Sequence, residues 1–340
     1  MTVPFARPAP RFLSVADLDA ESIDSLLTLA DALKAGQVMA GPPPLAGRAV
    51  ALIFQKPSLR TRVSFEVGIT RLGGTPVLLS GDEVGLGTRE APTDVARTLE
   101  RYVDLIVARV FDHGLLEELA DAASIPVINA LSDVEHPCQA LADLMTLREH
   151  WDEVAGRQLV FVGDGNNVAA SLLLVGALAG LNVRVVTPDG YEPAPSVVER
   201  ACELAAASGA RIEVSSDPFT GIAGADAVYT DVWASMGQEE QAARRRQIFR
   251  PYAITPELLE QAPDALVMHC LPAHRGEEIA SEVIDGPRFL AFEQSENRLW
   301  VQMALLIRLS RARRPGSALP EPLQLPLAIG SRTTGHPARG

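Results

Sequence analysis

Residues 50–72 read as a strand, a cationic turn and a helix in direct succession. Val50-Ala51-Leu52-Ile53-Phe54 is an unbroken apolar run, the pattern of a strand buried on both faces. Val63, Phe65 and Ile69, with Val67 and Leu72, bring apolar residues back at helical spacing. Between the two runs lie Ser58, Arg60, Thr61 and Arg62. A helix N-terminus carries unpaired N–H groups and partial positive charge, so it attracts anions. Guanidiniums add planar donors that match phosphate oxygens. The turn therefore reads as an anion cradle. The plainer alternative is a solvated basic turn with Ser58 as helix cap; the density of hydroxyls and arginines favours the cradle.

The same alternation runs along the rest of the chain. Apolar runs at 75–80, 104–109 and 125–129 alternate with helix-spaced segments at 93–101, 115–123 and 140–150. Further strand patterns fall at 158–162, 182–186, 211–214, 227–229 and 266–268, with an almost wholly apolar helix at 168–181. Strand–helix alternation predicts parallel sheets. The expected fold is α/β: two doubly wound domains, each on a central, mainly parallel sheet, with the active cleft between them. The domains are expected at 1–150 and 151–298, with a final helix at about 299–312 packing back on the first. Residues 313–340, rich in Pro, Gly, Ser and Arg, read as a disordered tail. Residues 14–34 read as a helix with Ser14 and Ser22 as caps, 81–89 as a mobile glycine-rich loop, and Arg244-Arg245-Arg246 as a solvated helix face.

In doubly wound sheets, ligands bind beyond the C-terminal strand ends. Here those ends carry residues 58–62, Arg109, His136 with Gln139, Asp231, and His269-Cys270-Leu271-Pro272. Singly, Arg109 could be a surface ion-pair residue, His136 a helix cap, Asp231 a turn cap and Cys270 a buried thiol. Their shared position after strands favours a site. Gly163-Asp164-Gly165-Asn166-Asn167 approaches the dinucleotide fingerprint, but Val168 takes the third glycine position. A dehydrogenase is thus a competing reaction class.

Composition narrows the partners. A net charge of −13 argues against nucleic acid. Three widely spaced cysteines predict a reducing, cytoplasmic setting without a disulfide framework. The start of the chain has no apolar leader pattern, and the run at 168–181 is too short to span a bilayer, so no membrane partner is expected. His269, Cys270, His274 and Glu277 match no standard zinc spacing, and no metal is expected.

Six motifs, in order, carry a resemblance to a known family. They are Phe54-x-Lys56-x-Ser58-x-Arg60-Thr61-Arg62, His136-Pro137-x-Gln139, the 163–167 segment, Asp231-x-Trp233-x-Ser235-Met236-Gly237, His269-Cys270-Leu271-Pro272 and Glu296-Asn297-Arg298. Over residues 10–312 the chain resembles the ornithine carbamoyltransferases. That resemblance implies transfer of a carbamoyl group from carbamoyl phosphate to the δ-amine of L-ornithine, with no cofactor, in a homotrimer. It implies that Ser58, Leu59, Arg60, Thr61, Arg109, His136, Gln139, Cys270, Leu271 and Arg298 hold carbamoyl phosphate. It places Asn167, Asp231, Ser235 and Met236 on ornithine, and gives Arg109, His136, Cys270 and Asp231 the catalytic roles. Putrescine or N-acetylornithine as acceptor, and a non-catalytic anion-binding relative, are the alternatives. Two positions depart from the family pattern. Leu59 stands where a threonine is usual. Gly85 stands where many members present Gln or His from a neighbouring subunit; Thr88 and Arg89 are the nearby polar residues.

Overall fold

A computed structural model describes residues 10–37, 41–234 and 241–311. Two five-stranded, wholly parallel sheets organise it. The first contains β1 (Arg11–Phe12), β2 (Ala49–Phe54), β3 (Thr75–Ser80), β4 (Leu105–Arg109) and β5 (Val127–Leu131), in the spatial order β1-β5-β4-β2-β3. The second contains β6 (Gln158–Val162), β7 (Asn182–Val186), β8 (Ile212–Ser215), β9 (Ala227–Thr230) and β10 (Leu266–His269), in the order β10-β9-β6-β7-β8. Every residue of the central strands β4, β6 and β9 is buried. That burial explains their continuous apolar sequence: helices cover both faces, so no polar alternation survives. Both sheets and the cleft between them match the expected class.

Register aligns the strand ends. Phe54 pairs with Arg109 and with Ser80. Thr230 pairs with both Val162 and His269. The residues that follow, 55–60 on one side and Gly163, Asp231 and Cys270 on the other, therefore emerge at matched levels.

The helix Leu59–Arg71 starts where the anion turn was read, with Ser58 as its cap. Its inner face approaches the last helix so closely that a Cβ on Gly68 would lie 3.1 Å from Met303 Cγ. That last helix is longer than expected. It runs Ala291–Arg311, taking in the polar stretch before 299. Gln294, Asn297 and Arg298 are buried on its inner face. It leaves the second sheet and packs against the helices Pro137–His150, Ala20–Lys34 and Leu59–Arg71.

Other boundaries also differ. The 14–34 segment is broken: Ser14 caps a single 3-10 turn, Val15–Asp17, and the helix proper, Ala20–Lys34, is capped by Asp19, not Ser22. Asp19 wins because its carboxylate accepts the Ser22 N–H at 2.7 Å. The glycine-rich stretch begins with one helical turn, Gly81–Val84, closed by Gly85 at φ 62°. The expected tail at 313–340 lies outside the described residues. Among the described residues no helix is long and apolar enough to cross a membrane.

Candidate active site

The facing strand ends enclose a cavity of about 380 Å³, lined from both sheets. On the first side, Ser58 Oγ accepts the Thr61 N–H at 3.3 Å and donates to Thr61 Oγ1 at 3.0 Å. Arg298 Nη2 also donates to Thr61 Oγ1, at 2.8 Å, and Arg109 Nη1 does so at 3.4 Å. Three donors thus converge on one hydroxyl oxygen with two lone pairs. The Nε atoms of Arg109 and Arg298 are buried without a partner among the described residues. Burial and the neighbouring Arg298 push Arg109 down to about 10. Burial likewise lowers Arg298 and Arg60. Clustered buried cations with a neutral oxygen as counterpart are costly unless an anion joins them.

His136 sits at the start of the Pro137–His150 helix, where Pro137 occupies the first helical position and needs no N–H partner. The His136 N–H donates to Ser171 Oγ across the inter-sheet boundary at 2.9 Å. Its Nδ1 is buried and has no partner among the described residues. Burial and the three arginines hold its pKa well below the usual imidazole range, so the ring is neutral at pH 7.

The opposite wall is acidic and thiol-bearing. Asp231 accepts Cys270 Sγ–H at 3.0 Å and Asn166 Nδ2 at 2.8 Å. Leu271 has φ 57°, left-handed for a branched residue. Its N–H donates to His269 Nδ1 at 2.8 Å, and His269 Nε2 contacts Glu278 Oε1 at 3.2 Å. Asn167 Nδ2 donates to the Ser132 carbonyl at 2.6 Å.

Most of the residues singled out from the sequence meet here. Ser58, Leu59, Arg60, Arg109, His136 and Arg298 line one side of the cavity. Asn167, Asp231, Cys270 and Leu271 line the other. Thr61 and Gln139 stand buried behind this lining, at 0% and 1% exposure. Ser235 and Met236 lie outside the described residues. The Leu59 side chain is 73% exposed, so the position offers the cradle its backbone.

Comparison with known proteins shows the family. Residues 11–149 match the family description "Aspartate/ornithine carbamoyltransferase, carbamoyl-P binding domain", and 155–309 match "Aspartate/ornithine carbamoyltransferase, Asp/Orn binding domain". The chain belongs to the aspartate/ornithine carbamoyltransferase family. An ornithine carbamoyltransferase from Parafrankia sp. is 52% identical over 88% of this chain and 95% of its own length. The anabolic ornithine carbamoyltransferase of Pyrococcus furiosus is 50% identical over 86% and 94%. A solved ornithine carbamoyltransferase structure from Pyrococcus furiosus superposes with a TM-score of 0.84 at 48% identity, covering 90% of this chain and 97% of that one.

Within this carbamoyltransferase fold, the dinucleotide-like glycine serves the chain itself. A Cβ on Gly165 would fall 2.2 Å from the Pro193 nitrogen, so the 192–193 backbone fills the space next to it. Asn166 Oδ1 takes the first helix amides, Val168 N–H at 2.9 Å and Ala169 N–H at 3.2 Å.

Among the residues that the sequence reading did not name as site members, Lys56 and Asn166 carry polar groups into or behind the cavity wall. Lys56 is buried in the cavity wall with Nζ 4.4 Å from the Phe111 ring centre. Burial and Arg109 lower its pKa. It lies inside the first motif, and that was the available signal. Asn166, which holds Asp231, lies inside the 163–167 motif, and that was its available signal.

Arg245 corrects an expectation. It is 6% exposed and not part of a solvated face. It pairs with Asp164 at 3.0 Å, donates to the Trp233 carbonyl at 2.9 Å, and lies over the rings of Tyr191 and Phe249. Burial pushes the Asp164 carboxyl up to about 6 even with this cation beside it. Arg245→Ala strands that acid and is expected to cost about 3–5 kcal/mol of stability, read from denaturant midpoints. A loss below about 1 kcal/mol would put the pair in the class of solvated bridges and contradict its burial.

Cys270 behaves as a thiol, not a thiolate. Burial and the adjacent Asp231 raise it well above the ordinary cysteine value, which removes the nucleophilic form. Cys138, fully buried, is pushed up to about 12. Cys202 is exposed. Iodoacetamide at pH 8 is therefore expected to label Cys202 first, followed by mass spectrometry. Earlier labelling of Cys270 would show an activated thiolate.

Proposed function

We propose that this chain transfers the carbamoyl group of carbamoyl phosphate to the δ-amine of L-ornithine, giving L-citrulline and phosphate on the way to arginine. The observation that carries this reading is the convergence of Arg109 and Arg298 on Thr61 Oγ1, with both Nε atoms unpaired among the described residues, facing Asp231 and Cys270 across one cavity. The cationic side suits a phosphate and a developing oxyanion. The acidic side suits an amine.

In this reading Ser58, Leu59, Arg60 and Thr61 hold the phosphate through the helix N-terminus, with Arg60 and Arg109 matching its charge. Thr61, Arg109 and His136 face the carbonyl oxygen, and Arg298 reaches the same ligand. Gln139 and the Cys270–Leu271 backbone accept from the carbamoyl NH2. Asn167 and Met236 take the ornithine carboxylate; Asp231 and Ser235 take its α-amine. Asp231 and Cys270 stand near the attacking nitrogen.

The neutral δ-amine forms the new C–N bond, the C–O bond to phosphate breaks, and the leaving phosphate takes the proton. An alkylamine titrates near ~10, so the deprotonated fraction has to be selected in the bound state. Fixed guanidiniums aimed at the carbonyl and phosphate oxygens stabilise the charge that develops. Neutral His136 adds a hydrogen bond there without becoming a competing proton source.

We also propose a cytoplasmic homotrimer. Three free cysteines fit a reducing compartment. Leu59, Val63 and Phe111 expose 73%, 45% and 47% of their surface beside the cleft mouth, which suits a subunit contact there. Light scattering is expected to give three times the chain mass.

A ureido-product assay tests the substrate assignment. Carbamoyl phosphate is supplied with ornithine, N-acetylornithine, putrescine or aspartate in turn. Selective use of ornithine is expected. Preference for putrescine or N-acetylornithine would remove the roles given to Asn167 and Asp231.

A further inference from the structure

Beneath the cavity, one buried acid sorts two carboxamides. Asp143 is fully buried and lies one turn after Gln139 on the Pro137–His150 helix. Its Oδ1 accepts Gln139 Nε2 at 2.7 Å and Gln294 Nε2 at 2.7 Å. Burial raises Asp143 to about 6, so at pH 7.5 it is a carboxylate and can only accept. Each amide must therefore turn its NH2 toward Asp143 and its oxygen away.

The two oxygens then have different fates. Gln294 Oε1 accepts the His269 N–H at 3.0 Å, anchoring the strand end that leads into Cys270 and Leu271. Gln139 Oε1 is buried and has no partner among the described residues. It belongs to the helix end whose His136 lines the cavity. A buried carbonyl oxygen is seldom left without a donor. In the carbamoyl phosphate reading of the cavity, that donor is the ligand NH2.

We propose that Asp143 is a positioning residue that makes this site select a carbamoyl group over an acyl group. By fixing the Gln139 amide with its oxygen free, it presents an acceptor to the NH2 that distinguishes carbamoyl phosphate from acetyl phosphate. Through Gln294 it also steadies the 269–271 backbone, the second acceptor for that NH2. This inference rests on the carbamoyl phosphate reading of the cavity.

The test is Asp143→Leu, which removes the Oδ1 acceptor shared by both glutamines and frees the Gln139 amide to turn over. The readout is the ratio of the acetyl phosphate inhibition constant to the carbamoyl phosphate KM. That ratio is expected to fall at least about tenfold, because the acceptor oxygen is no longer held toward the NH2. Inhibition by inorganic phosphate and the ornithine KM are expected to stay within about twofold. Asp143→Asn, whose own oxygen can still take both Nε2 groups, is expected to keep most of the ratio. An unchanged ratio in folded Asp143→Leu overturns the inference. So does equal weakening of phosphate, acetyl phosphate and carbamoyl phosphate, which would mark a general packing defect. If Asp143→Leu does not fold, Gln139→Leu, which deletes the presented oxygen, must lower the ratio at least about tenfold; an unchanged ratio there overturns the inference. A wild-type protein that does not distinguish the two acyl phosphates overturns the carbamoyl phosphate reading itself.

Discussion

Replacing Arg109 by alanine is expected to lower kcat/KM for carbamoyl phosphate by about 10²–10³-fold, or about 2.7–4 kcal/mol. Arg109 ends β4 and reaches Thr61 with Nη1, while its Nε has no partner among the described residues. The residue is 6% exposed, so little water competes for those donors. Its environment is dominated by burial and by Arg298, a like charge. A cation kept in such surroundings is bound weakly by its own fold and strongly by an incoming anion. Removing it should therefore damage turnover while the chain stays folded. Steady-state kinetics beside a thermal melt checks this. Near-normal kcat/KM in the folded variant would remove the anion assignment from this side of the cavity.

Asp231→Asn is expected to damage ornithine use by about 2–4 kcal/mol in kcat/KM, roughly thirty- to several-hundred-fold. The substitution keeps the side-chain shape and a carbonyl oxygen for the Cys270 thiol. It removes the negative charge offered to an ammonium group and replaces one acceptor facing Asn166 by a donor. The effect should fall on ornithine, with carbamoyl phosphate affinity within about twofold of wild type, because Asp231 lies across the cavity from the Arg109–Arg298–Thr61 contacts. Equal losses for both substrates would move Asp231 from ornithine binding to general support of the cleft.

Much of the site could be read from the chain because its parts are local. Ser58, Arg60 and Thr61 sit within one turn, directly after a strand, and parallel-sheet topology carries them to the same edge as Arg109, facing the edge of the second sheet that carries Asp231. What escaped depends on partners far along the chain. Residues 292–298 look like a polar connector, but Asn297 is buried against Thr146 and Glu149, and Gln294 against Asp143. Helical burial at 294, 297, 298 and 301 continues the apolar face with polar groups that are satisfied across the interface. A pattern based on apolar spacing stops at 299 for that reason. Arg245 was read as solvated because its neighbours are charged, yet Asp164, 81 positions earlier, draws it inward. Asp143 escaped for the same reason: its meaning lies in two glutamines brought together by different helices.

The central claim is that the carbamoyl carbon passes from phosphate to the ornithine δ-nitrogen in this cleft. Carbon-13 NMR with carbamoyl phosphate labelled at the carbonyl follows that carbon directly. With wild-type protein and L-ornithine, the label is expected to move into the ureido carbon of citrulline, with an equal amount of phosphate released. Folded Arg109→Ala is expected to leave it largely in carbamoyl phosphate over the same period. Label appearing in spontaneous breakdown products alone, at a rate independent of ornithine and of Arg109, would contradict the account.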